Sequence, residues 1–130
     1  MTTDSSIHPF TQLDGEQFIV LTTYRKTGEA VPTTVWFAER DGKLYISTGA
    51  AAGKLKRIRT NPRVTVAPSD HIGAVKGAAV AAVAREATPD EHALAEAELA
   101  AKYGAQLGEV RRMRRPAHET STHLVVVPAE

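Results

Sequence analysis

The sequence contains no cysteine, which removes disulfides, thiolate metal sites and thiol nucleophiles together and gives no hint of an exported protein. A cytoplasmic location is the expectation. No apolar run approaches the roughly 20 residues of a membrane span. Met1 to Ser6 is polar and lacks the basic and then apolar order of a signal peptide, so no membrane partner is expected. Charge of one sign is also missing. Sixteen basic residues face fifteen acidic ones, for a net +1, so no global field draws the chain to nucleic acid and any anion site must be local. His8, His71, His92, His118 and His123 show no metal-ligand spacing, and no metal is expected. There is no Ser/His/Asp order, Walker-type loop or internal repeat.

What is present fits one domain over residues 1–130, with residues 1–8 a flexible leader. Pro9 to Leu13 can form a short helical turn. Gln17 to Tyr24 is rich in β-branched and aromatic residues and reads as a strand. Lys26-Thr27-Gly28-Glu29 is a turn signal, and Ala30 to Ala38 resumes the strand pattern, with Pro32 near its start. Asp41-Gly42 is the strongest hairpin signal and leads into Lys43 to Thr48, so the spacing predicts a three-stranded meander. From Gly49 to Asn61 the period changes to that of a helix, with Leu55 and Ile58 on one face and Asn61-Pro62 as the stop. Arg63 to Ala67 is a fourth strand. Ala74 to Ala87 is ambiguous, because alanine favours helix while its valines permit either state.

The clearest helix is Pro89 to Tyr103. Thr88 is the N-cap, Pro89 stands at the first helical position, Glu91 completes a Thr-x-x-Glu capping box and Gly104 supplies the stop. Its alanine-rich face is expected on the sheet, with Glu96 and Glu98 on the wet face. His123 to Val127 is a final strand. This order lacks the βαβ alternation of a parallel sheet and fits a closed antiparallel sheet or small barrel.

Four of the six residues from Lys54 to Arg59 are cationic. If they occupy the first turns of a helix, its dipole opposes them by roughly 0.3 to 1 kcal/mol each unless an anion lies beside them. Ser47, Thr48, Gly49 and Gly53 before or at the helix start offer hydroxyls and backbone N–H groups of the kind that hold phosphate. The alternative is a solvated basic face that keeps the helix soluble. Thr33, Thr34, Val35 and Trp36 form a strand that could line a planar ring, although Trp36 alone reads as core packing. Tyr24 and Tyr103 could donate protons, but packing is the better reading of each. Arg111 to Arg115 could meet an acidic ligand, nucleic acid or only solvent.

The run TGEAVPTTVWF, followed by LYISTGAAAGKLKRIRTNPRVTV, resembles the pyridoxamine-phosphate-oxidase-like split-barrel superfamily. It is most similar to the small oxidoreductases of that class that depend on coenzyme F420, a deazaflavin. The likeness is strong from Asp14 to Ala67 and looser through Pro89 to Gly104 and the last strand. It implies a mainly β (α+β) fold, a six-stranded antiparallel split barrel of the FMN-binding type with short flanking helices. It also implies a homodimer with cofactor at the subunit interface, and a strand at Ala78 to Ala87. By position, Lys54 matches the lysine that grips the cofactor phosphate and Arg57 a polar residue beside it. Lys56 is a basic neighbour in the same helix, Thr33 to Trp36 match the ring-lining strand, and Ser47 and Thr48 match the strand end near the phosphate. Pyridoxine-phosphate oxidases carry arginine directly before that lysine, where this chain has Gly53, and a substrate-binding arginine and histidine near a C-terminus that here reads HLVVVPAE. Vitamin B6 oxidation is therefore not the expected activity. The resemblance implies hydride transfer from reduced F420 to an electron-poor double bond of a small organic substrate. An FMN enzyme of the same fold and a non-catalytic F420 or flavin carrier are the alternatives, and no catalytic side chain is identified.

Overall fold

In the computed structural model, which describes residues 10–13, 15–49, 53–104 and 121–129, seven strands form one curled antiparallel sheet. They are β1 (Phe18–Tyr24), β2 (Ala30–Val35), β3 (Ala38–Arg40), β4 (Lys43–Gly49), β5 (Arg63–Ser69), β6 (Val80–Glu86) and β7 (Ser121–Pro128). Their order is β2-β1-β5-β6-β7-β4-β3. Two helices, α1 (Gly53–Thr60) and α2 (Pro89–Tyr103), and a short 3-10 turn at Thr11–Leu13 complete the domain. The architecture is the split barrel, with seven strands where six were expected.

The seventh strand has a local origin. The expected strand over residues 30–38 is interrupted at Trp36 and Phe37, and its two pieces pair with different partners, β2 with β1 and β3 with β4. The expected meander is therefore wrong. The turns on either side were read correctly, since Tyr24 faces Ala30 across the first hairpin and Asp41 and Gly42 both take positive φ, 53° and 80°, between β3 and β4. Turn chemistry fixes which residues bend, but not whether the next strand stays in the same neighbourhood. Here β2 and β3 are the two edges of the sheet, joined by only two residues. Edge position also explains how β2 tolerates Pro32.

Alternation on the strands sends one set of side chains inward. Ile19, Leu21, Val35, Leu44, Ile46 and Val66 share a single core cluster with Leu124 and Val126. β4 and β5 are separated in the sheet by β7 and β6, so α1, which connects them, has to cross one end of the barrel. It buries Leu55 and Ile58 into the same core. Residues 80–86 are a strand, which resolves the ambiguous alanine-rich stretch towards β because both its edges pair, with β5 and with β7.

Helix α2 lies on the outer face. Its capping box is fully formed, with the Thr88 hydroxyl accepting from the Glu91 N–H at 3.4 Å and Glu91 Oε1 accepting from the Thr88 N–H at 2.8 Å. Ala95, Leu99 and Tyr103 are its buried face. Among the described residues no helix is long and apolar enough to cross a membrane.

Candidate functional site

The basic helix is shorter than the expected span from Gly49 to Asn61, because Gly49 belongs to β4 and the helix begins at Gly53. That alters the electrostatic argument. Arg57 and Arg59 stand in the last turn, where the dipole favours cations, and only Lys54 and Lys56 occupy the first. Arg59 is also compensated, its Nε donating to Glu86 Oε1 at 2.8 Å. The pairing holds the Glu86 carboxyl below the usual range, through the hydrogen bond first and the charge second.

Arg57 turns towards the barrel. Its Nε donates to Thr23 Oγ1 at 2.6 Å, and Thr23 is a buried hydroxyl, 1 % exposed, at the end of β1. Thr23 follows Ile19 and Leu21 on the inward face, so a polar residue occupies a core position of the alternation, a signal the sequence carried and our reading missed. Gly53 takes part as well. A Cβ there would lie 3.1 Å from an Arg57 guanidinium nitrogen, so a larger residue before Lys54 would crowd Arg57. Lys54 is half-buried and Lys56 is exposed.

On β4, Ser47 and Thr48 point to opposite faces, so the two residues do not act on one group together. Ser47 lies opposite His123 on the outer face. Thr48 follows Leu44 and Ile46 inward and is 4 % exposed, and its Oγ1 has no hydrogen-bond partner. An orphaned buried hydroxyl costs about 1 to 3 kcal/mol. It stands on the strand that leads into α1, and it suits a hydrogen bond to an anionic ligand entering at this end of the barrel. Lys54 and Arg57 follow it in the chain on α1, and a hydroxyl, an ammonium and a guanidinium are all donor types that bind phosphate.

The residues from Thr33 to Trp36 also divide between faces. Thr33, in register with Leu21, and Val35, in register with Ile19, face inward, and Val35 is core. Thr34 is on the other side, its Oγ1 only 2.7 Å from where a Cβ of Gly73 would be. With φ at +90°, Gly73 is required there on both counts. Trp36 sits at the strand break and stacks on Tyr103, centroids 4.2 Å apart and planes 8° from parallel, with Phe18 edge-on at 6.3 Å. It is mainly a packing residue. A groove of about 530 Å³ opens beside the C-terminal end of α1, bounded by Tyr24, Gly28, Asn61 to Thr65 and β6, and none of the nine expected site residues lines it.

Two polar clusters under α2 were not anticipated. His123, 4 % exposed, lies within hydrogen-bond distance of His92 Nδ1 through its own Nδ1, at 2.8 Å, and of Glu96 Oε2 through its Nε2, at 2.7 Å. Glu96 is thus more than part of a wet face, whereas Glu98 meets Arg40 at 2.6 Å on the surface. Tyr103 is a packing residue as expected, and its hydroxyl lies 2.7 Å from the Gln17 carbonyl and 2.9 Å from the Phe37 carbonyl while accepting from the Phe37 N–H at 3.1 Å. Burial pushes its pKa up to about 12, which removes it as a ready proton donor. His8, His118 and Arg111 to Arg115 lie outside the described residues, as does the leader.

The profile of the family described as Pyridoxamine 5'-phosphate oxidase matches residues 9–130. Among solved structures, the chain resembles an F420 reductase at 20% identity, covering 93% of each chain with a TM-score of 0.66. It resembles the heme storage protein HutZ of Vibrio cholerae at 16% identity, covering 100% of this chain and 92% of that one, with a TM-score of 0.67. A FAD-binding protein of Mesorhizobium loti aligns at 17% identity over 91% of this chain and 83% of that one, TM-score 0.66. At these identities the likeness speaks for the fold. No curated protein matches the chain.

Proposed function

Because the chain belongs to the pyridoxamine 5'-phosphate oxidase family, we propose that it is an oxidoreductase that binds coenzyme F420 at the α1 end of the barrel and reduces an electron-poor double bond of a small organic substrate. When bound, the deazaflavin supplies the hydride. Lys54 and Lys56 neutralise the phosphate end, Arg57 presents its guanidinium from an anchored position on Thr23, and Thr48 donates its hydroxyl. The Thr33–Trp36 strand contributes the wall for the rings, Thr33 from the inner face and Trp36 from the break. These residues orient the ligand and exclude water, and none of them takes a proton-transfer step.

The observation that carries this reading is the buried Thr48 Oγ1 without a partner, on the strand that enters the cationic helix. A homodimer is part of the proposal. An F420 reductase with this fold supports the choice of cofactor. One observation favours FMN instead. Arg59 is taken by Glu86, which leaves fewer cations at the helix, and the single phosphate of FMN needs fewer than the oligoglutamate tail of F420.

Titration of the purified protein with F420 and with FMN, followed by fluorescence, tests the reading. Micromolar F420 binding that Lys54→Ala weakens by roughly 10- to 100-fold supports it. Equal binding by wild type and variant overturns the assigned site, and binding of FMN alone overturns the cofactor. Tight F420 binding with no turnover of any enone or quinone leaves a carrier, and then the oxidoreductase reading fails.

A further inference from the structure

Three polar side chains form a hydrogen-bonded chain beneath the first half of α2. His123, on the outer face of β7, is 4 % exposed. Its Nδ1 lies 2.8 Å from His92 Nδ1 and its Nε2 lies 2.7 Å from Glu96 Oε2. Both partners stand on α2, one turn apart. The two rings are 5.1 Å apart between centroids, with planes 60° from parallel. A nitrogen-to-nitrogen contact of this length needs one hydrogen between the rings. With none, two lone pairs face each other, and with two, N–H faces N–H.

That requirement limits how many protons the chain can hold. An ionised Glu96 only accepts, so His123 Nε2 carries a hydrogen. With both rings neutral, His92 Nδ1–H donates to the bare His123 Nδ1. One further proton enters without breaking a contact, on His92 Nε2, and the hydrogen between the rings can then belong to either of them. The next proton puts hydrogens on both Nδ1 atoms and sets two cations side by side, so the contact between the rings has to open. Among the described residues, the charged and titratable groups on the surrounding elements do not relieve this. Glu86 on β6, which feels the charge of His92, is engaged by Arg59. Arg85 on β6 is paired with Glu91, and Arg40 on β3 with Glu98. Burial raises the Tyr45 hydroxyl on β4, so it stays neutral in acid, and Ser47, opposite His123, carries no charge.

We propose that the Glu96–His123–His92 chain is an acid-released latch, which holds the first half of α2 on the sheet while the two rings share one hydrogen and frees it when both are protonated. Release bares Tyr45 and Val125, against which Ala95 now packs. Neither histidine is among the nine residues assigned to the cofactor, so the latch stands or falls apart from that reading.

The test follows amide exchange of residues 92–98 in the full chain by mass spectrometry from pH 7.5 to 5. Rates are corrected for the intrinsic pH dependence of exchange, and β1 and β5 serve as the internal reference. In the open form both rings titrate as ordinary histidines, near about 6.5, and that form binds one proton more than the latched one. Opening of α2 should therefore rise, approaching about tenfold for each pH unit below that value. Glu86 and Glu91, held below the usual carboxylate range by hydrogen bonds from their arginine partners, stay ionised across this window. Exchange of α2 that follows the same pH profile as the reference strands overturns the proposal. His92→Gln is the discriminating variant, because an amide can donate to the bare His123 Nδ1 or accept from its protonated form. It should keep α2 protected at pH 7.5 and flatten or reverse the acid slope, and a variant that retains the wild-type slope also overturns the proposal. If it fails to fold, ring-nitrogen NMR of the wild type decides. One Nδ1 should bear hydrogen at pH 7.5, and both should bear it only as α2 opens; two protonated Nδ1 atoms under a closed α2 sink the latch.

Discussion

The two helices of this barrel meet the sheet on different terms. Helix α2 is matched almost group for group. Its capping box is closed, Arg85 forks onto Glu91 at 2.6 and 2.7 Å, Arg40 meets Glu98, and the Tyr103 hydroxyl is placed among three backbone groups. Helix α1 buries only Leu55 and Ile58, crowds cations together and stands after a strand whose Thr48 hydroxyl is unsatisfied. Where every polar group has a partner, a region is arranged for stability; where some are left over at low exposure, a ligand is the economical explanation. The α1 end is accordingly where binding is to be sought.

Substitutions in the two regions should separate cleanly. The largest effect on stability is expected from Leu99→Ala, which removes a fully buried side chain beneath α2 and should cost about 2 to 5 kcal/mol in denaturant unfolding, with F420 affinity unchanged in the folded fraction. Next, Lys54→Ala should weaken cofactor binding by roughly 10- to 100-fold, the worth of a charge-assisted hydrogen bond, while unfolding shifts by less than about 0.5 kcal/mol. A large stability loss there would mean that the helix is built for packing after all. Thr88→Ala should cost about 1 kcal/mol through the lost cap, again with no effect on affinity. Thr48→Val should raise stability slightly, by up to about 1 kcal/mol, and reduce affinity. If affinity is untouched, the hydroxyl is a packing accident and the contrast weakens.

The smallest expected effect is on pH dependence. The Arg85 hydrogen bonds first, and then the Thr88 N–H, hold the Glu91 carboxyl at about 2 instead of 4.5. A depressed acid contributes stability that is fully present above its unfolded value of about 4.5, and the contribution fades as pH falls from there through about 2. Unfolding of wild type and Glu91→Gln should converge as pH drops across that window. Parallel curves would show that the pair adds nothing to the α2 side.

Legibility in the sequence followed the range of the interactions. Elements governed by neighbouring residues were readable: the Asp41-Gly42 hairpin, the Thr88 to Glu91 cap, the stop at Pro62, and the strands β1 and β4. Pairing between distant strands was not. Residues 30–38 look like one strand because nothing local marks Trp36 as the point where the chain leaves one edge of the sheet for the other. The same limit applied to the site. The cationic pattern pointed to α1, yet which cation was already compensated depended on Glu86, 27 residues from Arg59. Thr23 was visible as a polar residue in the inward alternation of β1, but its pairing with Arg57, 34 residues away, needed the fold. Family resemblance supplied the strand at residues 80–86, which propensity alone left open.

The break at Trp36 and Phe37 has a consequence for the life of the protein in a crowded solution. Open sheet edges invite other chains to pair with them. In this barrel the two edge strands are successive pieces of one stretch of chain, so the margins that could recruit a neighbour are leashed to each other by two residues.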